Sequence, residues 1–441
     1  MRRVNMERRD FVKALATAAV ATQVVPGMAE ALAAHIEGLR AAVDDAKDEA
    51  KLWRRVRREF SLNPGFVHFN CGSTGAPPRY VIDTVCHYLR SDEMNPWVHA
   101  FPSQREVISK VAQFIGAETE EVTLTRNTTE SMNMIATGLH LKPGDEVLTT
   151  NHEHAGGMLC WQYLAKFHGV KLRYVDIPHP VRDKAQILEM IEQQITPRTR
   201  VCSFSQIDTI TGMQLPMKDV SMITRPRDIL LVCDGAQAPG MLEVDVKALG
   251  VDAFASSSHK WLLAPKGSGV LYVRKDVQDR IRPISVFNPA GEEDNYSIYS
   301  AQSGSSNVAH IYGHGAAVDF HNAIGRKRIE ARCRSLSKRV RAHLREIPAL
   351  TLMTPDQDEL SSGMVSFAVD PDKASNGEIY SYFSNEHNIV LKTTQGTYPY
   401  VPEDQETGPR ISYNAIRVST HIFNTEDEVD KMAELMKAYL A

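Results

Sequence analysis

Apolar residues gather in short runs at 122–125, 146–150, 172–177, 201–205, 229–233, 251–255 and 269–273, and the stretches between them carry apolar positions at helical spacing. A strand covered on both faces reads as such a run, whereas a half-exposed strand alternates. The seven runs therefore predict a mostly parallel seven-stranded sheet, and the intervening segments predict helices on both of its faces. Beyond about residue 310 the pattern changes to a long basic helix, the run Gly363-Met-Val-Ser-Phe-Ala-Val369, a helix near 376–387 and a terminal helix from about Glu426. That succession predicts a smaller C-terminal α+β domain. The expected fold class is α/β, with a helical segment over 34–67, a large domain over 68–305 and a small domain over 306–441. The basic clusters Arg54 to Arg58 and Arg326 to Arg341 read as solvated helix faces, with Cys333 on the surface.

The first residues follow another pattern. Glu7-Arg8-Arg9-Asp10-Phe11-Val12-Lys13 precedes an apolar, Ala-rich stretch from Ala14 to Val25, too short to span a membrane. It looks like a twin-arginine export signal over 1–33, with small-residue cleavage points at Ala29-Glu-Ala31 or Ala31-Leu-Ala33. The expectation is a protein handed folded to the Tat machinery and acting in the periplasm or otherwise outside the cytoplasm. A formal net charge of −4 gives no overall attraction to nucleic acid or anionic lipid. Six cysteines are scattered without a disulfide framework or metal-ligand spacing, which predicts free, mostly buried thiols.

Candidate chemistry concentrates where the apolar runs end, the place at which open α/β sheets bind ligands. Lys260 follows such a run within Ser257-Ser-His259-Lys260. Burial and neighbouring cations turn a lysine into a nucleophile toward an aldehyde, and the adjacent Ser257 hydroxyl and His259 imidazole can hold a phosphate. The cofactor this combination implies is pyridoxal 5'-phosphate. The run 229–233 ends in Asp234, an acid able to pair with a pyridinium nitrogen, and Gln237 could hydrogen-bond the ring oxygen. Arg126 to Ser131 reads as a turn with capping hydroxyls into a helix from about Ser131 to His140, which places Thr128 and Thr129 to bind phosphate. After the run 146–150, His154 could stack on a flat ring. A metal site is the rival reading of His152-x-His154, and no further Cys or His cluster supports it.

Taken in this order, these segments resemble the class V aminotransferase family of pyridoxal phosphate enzymes, over roughly residues 52–441. The resemblance implies Lys260 as the lysine that carries the cofactor, Asp234 as the pyridinium partner, Gln237 as the ring-oxygen contact and His154 as the stacking imidazole. It implies Thr129, Ser257 and His259, with Thr128 beside them, as the phosphate set. The loop Asn70-Cys71-Gly72-Ser73-Thr74-Gly75 looks like the family's substrate-side loop, closest to its isopenicillin N epimerase branch, and makes Asn70 a substrate candidate. Arg417 matches the arginine that grips the substrate carboxylate, a role suited to a planar guanidinium. Lys392 stands where desulfurases carry arginine, and Thr209 stands near their cofactor-contacting asparagine. Ser305 resembles a residue reaching a neighbour's phosphate, since the family forms homodimers. The stretch 389–398 lacks the cysteine that cysteine desulfurases need, so persulfide chemistry is not expected. The resemblance thus implies amino-group or α-carbon chemistry on an amino acid or peptidyl amino acid substrate, as aminotransferase, epimerase or C–S lyase. His152, Asp208 and Tyr398 are candidate second acid–base groups. An exported, non-catalytic binding protein on the same fold is the alternative from a different class.

Overall fold

The computed structural model describes residues 27–94, 102–282, 306–398 and 411–441. The twin-arginine motif and Ser305 lie outside these residues, as does the side chain of Tyr398. The strands, in chain order, are β1 Val67–His68, β2 Val122–Thr125, β3 Glu146–Thr150, β4 Lys171–Val175, β5 Thr199–Ser205, β6 Leu230–Asp234, β7 Ala253–Ser256, β8 Gly269–Val273, β9 Leu350–Leu352, β10 Met364–Val369, β11 Ile389–Val390, β12 Lys392–Tyr398 and β13 Ile411–Ser419.

All seven expected strands form one sheet in the order β2-β8-β7-β6-β5-β3-β4. It is parallel from β7 to β4, while β8 runs antiparallel to both β7 and β2. Every residue of β6, β7 and β8 is buried, which explains their unbroken apolar runs. The helices Thr128–Gly138 and Ala155–His168 pack with Ala253, Ala255 and Val232 on one face, and a larger apolar cluster fills the other. The C-terminal part is an antiparallel sheet, β12-β13-β10-β9, packed against the helices Arg326–Leu344 and Glu426–Leu440. Strands β1 and β11 pair in parallel as a separate two-stranded sheet, and a bridge from Asn70 to Ser419 of β13 ties the loop 70–75 to the second sheet.

Two expectations need correction. The helix expected from about Ser131 begins at Thr128, because Asn127 is its N-cap and accepts the Glu130 N–H at 2.9 Å. Thr128 and Thr129 therefore sit in the first turn. The helix Arg326–Leu344 is not simply a solvated face: Cys333 is fully buried, and Arg332 and Arg341 are buried with it. Arg332 reaches the Glu426 carboxylate and the Asn424 carbonyl, and Arg341 donates to the Pro355 carbonyl at 2.8 Å, so these guanidiniums join elements together. The six cysteines are free thiols, five buried and Cys86 exposed. Among the described residues no helix is long and apolar enough to cross a membrane.

Candidate active site

The parallel strands deliver their C-terminal ends to one edge, and the next residues of the chain build the site there. Asp234 closes β6 and is buried. Its Oδ1 accepts the Ala236 N–H at 2.9 Å. Burial pushes its carboxyl above the ordinary range, opposed by that N–H and by the charge of Lys260. Gly157, in the first turn of the Ala155–His168 helix, leaves room for this acid: a Cβ there would lie 2.6 Å from Asp234 Oδ2.

Lys260 follows β7 in a turn in which its N–H bonds to the Ser257 carbonyl at 3.1 Å. Burial of the ammonium, with Arg417 adding repulsion and Asp234 opposing, lowers its pKa from the usual lysine range to about 8. The loop 70–75 lies directly over this turn. Gly75 N–H donates to the His259 carbonyl at 2.8 Å, and a Cβ on Gly75 would stand 2.0 Å from the Lys260 carbonyl oxygen, so only glycine permits the approach.

His154 caps the Ala155–His168 helix, its Nδ1 accepting the Gly156 N–H at 3.0 Å. A neutral ring with that acceptor carries its proton on Nε2. Part of the ring surface is open, yet the surrounding protein and the charges of Lys260, Arg417 and Lys392 hold its pKa down at about 4. The imidazole is therefore neutral at physiological pH and presents a face suited to stacking.

At the opposite side of Lys260, Ser257 Oγ accepts the Thr128 N–H at 3.0 Å and lies 2.8 Å from Thr128 Oγ1. These hydroxyls stand at the N-terminal turn of the Thr128–Gly138 helix, where first-turn N–H groups and the helix dipole favour an anion. Thr129 is exposed beside them, and a Cβ on Gly156 would meet its hydroxyl at 2.5 Å. His259 Nδ1 donates to the Ser268 carbonyl at 3.2 Å, which leaves Nε2 as the ring's other contact atom. The Gln237 amide donates to the Gly72 carbonyl at 3.0 Å and accepts the Trp261 indole N–H at 2.7 Å, so it braces the loop 70–75 against Trp261.

Arg417 enters from β13 of the other sheet and is buried. Its Nη1 donates to the Thr209 carbonyl at 2.9 Å and to the Thr209 hydroxyl, while Nη2 reaches Asn70 Oδ1 at 3.3 Å and Ser73 Oγ at 3.2 Å. Thr209, expected as a cofactor contact, thus acts in this structure as a support for Arg417. Asp208 holds the turn that carries it: Oδ1 accepts the N–H groups of Ile210 and Thr211 at 2.8 and 2.7 Å. Burial would raise the Asp208 pKa, but His152, with Nδ1 3.6 Å away, and the Thr211 donors outweigh it and keep the acid ionised. Those bonds tie Asp208 to its own turn.

Sequence reasoning missed Glu153. It is buried next to His154, accepts from Thr150 Oγ1 at 2.8 Å and from Ser205 N–H at 3.1 Å, and pairs with Ser205 Oγ at 2.5 Å. Burial, with Asp234 adding to it, moves its pKa up to about 7. Neither apolar periodicity nor motif spacing signals an acid of this kind, because its burial arises from strands β3 and β5 meeting. Ser73 was also missed, although it lies in the loop singled out for Asn70.

These groups fit pyridoxal phosphate: an amine for the aldehyde, a buried acid for the ring nitrogen, an imidazole face for the ring, and hydroxyls at a helix start for the phosphate. The profile of the Aminotransferase class-V family matches residues 67–432. The chain is 31% identical to isopenicillin N epimerase from Amycolatopsis lactamdurans over 410 residues, 88% of this chain and 98% of that protein. The apo structure of cysteine desulfurase from Thermococcus onnurineus NA1 superposes with a TM-score of 0.75 at 26% identity, covering 88% of this chain and 98% of that one. A lysine-to-alanine mutant of C-DES, with glycine covalently linked to its PLP cofactor, superposes at 0.76 with 23% identity, covering 86% and 98%. The chain belongs to the class V aminotransferase family, and pyridoxal phosphate is the cofactor that its site fits.

Proposed function

We propose that this protein is a pyridoxal phosphate enzyme that moves a proton at the α-carbon of an amino acid or peptidyl amino acid. The observation that carries the reading is Lys260, a lysine whose pKa burial lowers to about 8 and whose amine feels both the Asp234 carboxylate and the Arg417 guanidinium. When bound, the cofactor accepts into its ring the electron pair left at the α-carbon. Asp234 would hold a proton on the ring nitrogen, and its burial keeps competing water away. Arg417, held by Thr209 on one side, offers its outer nitrogen with Ser73 and Asn70 to the substrate carboxylate. Lys260 Nζ, as a free amine, would take the α-proton, and at pH 7–8 its lowered pKa makes both proton removal and return accessible.

Amino-group transfer and inversion at the α-carbon use this same machinery. The near full-length likeness to an isopenicillin N epimerase favours inversion as the second reading. The cysteines at 160, 202, 233 and 333 are buried, and burial raises their pKa values, so they offer no accessible thiolate for sulfur transfer. An absorption spectrum of purified protein with pyridoxal phosphate, before and after L- and D-amino acids, tests the proposal with Lys260→Ala as control. Visible absorbance absent from the wild type sinks it. Conversion of the cofactor to its amine form, reversed by a keto acid, identifies transfer; unchanged cofactor with α-deuterium exchange and inverted product identifies epimerisation.

A further inference from the structure

The second sheet brings two cations to the same side of the site. In the β12–β13 pairing Lys392 stands directly opposite Arg417, so their side chains leave the same face of the sheet. Cβ atoms of directly opposed residues lie about 5 Å apart, and like charges in such pairs cost stability. Both side chains act on His154, which also feels Lys260, so three cations converge on one ring. Asp234 on β6 opposes them through its charge on Lys260; Glu153 is moved toward its neutral form by burial, and Asp208 is turned toward its own loop and His152. Among the described residues Lys392 has no carboxylate within ion-pair distance, and it is exposed, whereas Arg417 is buried.

Depth separates the two cations. Arg417 is held in the interior by Thr209, Asn70 and Ser73, while Lys392 on the neighbouring strand is exposed on a four-carbon stem. A like-charge pair aimed at a ligand site is favourable only when the ligand brings negative charge to both members. We propose that Lys392 selects substrates with a second, distal carboxylate, so that the preferred substrate is an α-amino acid, or an amino-terminal residue, with an acidic side chain. This rests on the α-carbon reading above, with the α-carboxylate on Arg417.

The test is equilibrium binding of substrate pairs to the pyridoxal phosphate-loaded enzyme, followed by the change in cofactor absorbance. The pairs differ only in the distal charge: L-glutamate against L-glutamine, and L-2-aminoadipate against L-norleucine. A charge-assisted contact predicts that each diacid binds about tenfold or more tightly than its uncharged counterpart. Lys392→Ala should bring the diacid-to-neutral ratio toward one, Lys392→Arg should keep it, and Lys392→Glu should shift preference toward L-lysine. Equal affinity within each pair in the wild type overturns the inference. So does an equal loss for both members in Lys392→Ala, which would place Lys392 on the α-carboxylate instead. If no amino acid of any charge changes the cofactor spectrum, the α-carbon reading itself fails and this inference with it, an outcome distinct from loss of the charge preference alone.

Discussion

At the scale of single residues, the site works by setting charge states. Lys260 loses affinity for its proton because burial and Arg417 outweigh Asp234, which brings its pKa to about 8. The neutral amine needed to attack an aldehyde therefore becomes dominant as pH rises through 8, well below the range of a free lysine. The rate at which cofactor-free protein gains visible absorbance on mixing with pyridoxal phosphate should rise about tenfold per pH unit below that point and level off above it. Arg417→Gln removes a repulsive charge and should move the midpoint up; Asp234→Asn removes an attractive one and should move it down. A midpoint that ignores both substitutions would refute the electrostatic account. The sequence marked Lys260, Asp234 and His154 through their positions at the ends of apolar runs. It held no sign of Glu153, since an acid reads as surface until the strands that enclose it are in place.

Among secondary-structure elements, helix starts carry much of the chemistry. Asn127 and His154 each cap a helix with a side-chain acceptor, and those two helices pack against each other with their first turns in contact. Close packing there depends on glycine. An alanine in place of glycine inside a helix ordinarily gains about 1 kcal/mol. At Gly157 the same change would set a methyl group 2.6 Å from the Asp234 carboxylate. Gly157→Ala should therefore lower the affinity for pyridoxal phosphate about tenfold or more, equivalent to about 1.4 kcal/mol, without the usual gain in thermal stability. Cofactor titration and a melting curve measure both; a stabilised variant with unchanged affinity would contradict the contact. Apolar runs located the seven strands because burial on both faces leaves a local signature. They could not show that β8 runs against its neighbours, since strand direction leaves no mark in composition.

For the whole molecule, segments far apart in the chain are joined by charged groups that the sequence presents as surface. Arg332 is buried against Glu426 and the Asn424 carbonyl and lies over the Trp53 ring, linking the Arg326–Leu344 helix to the terminal helix and the N-terminal segment. Glu426→Ala strands that buried guanidinium and should cost about 2 kcal/mol in denaturant unfolding. Glu37→Ala breaks the exposed pair with Arg40 and should change stability by less than about 0.5 kcal/mol. Equal effects would show that Arg332 is better hydrated than its burial indicates. By itself the sequence determined the α/β class, the place of the strands and the residues able to handle a pyridine aldehyde, because burial on both strand faces and reactive side chains at strand ends are local properties. Only the tertiary structure decided that Thr209 supports Arg417, that Glu153 is buried behind His154, that Arg332 is interior and that Lys392 stands beside Arg417. Each of those depends on segments far apart in the chain being brought together, and a long-range contact leaves no trace in the residues on either side of it.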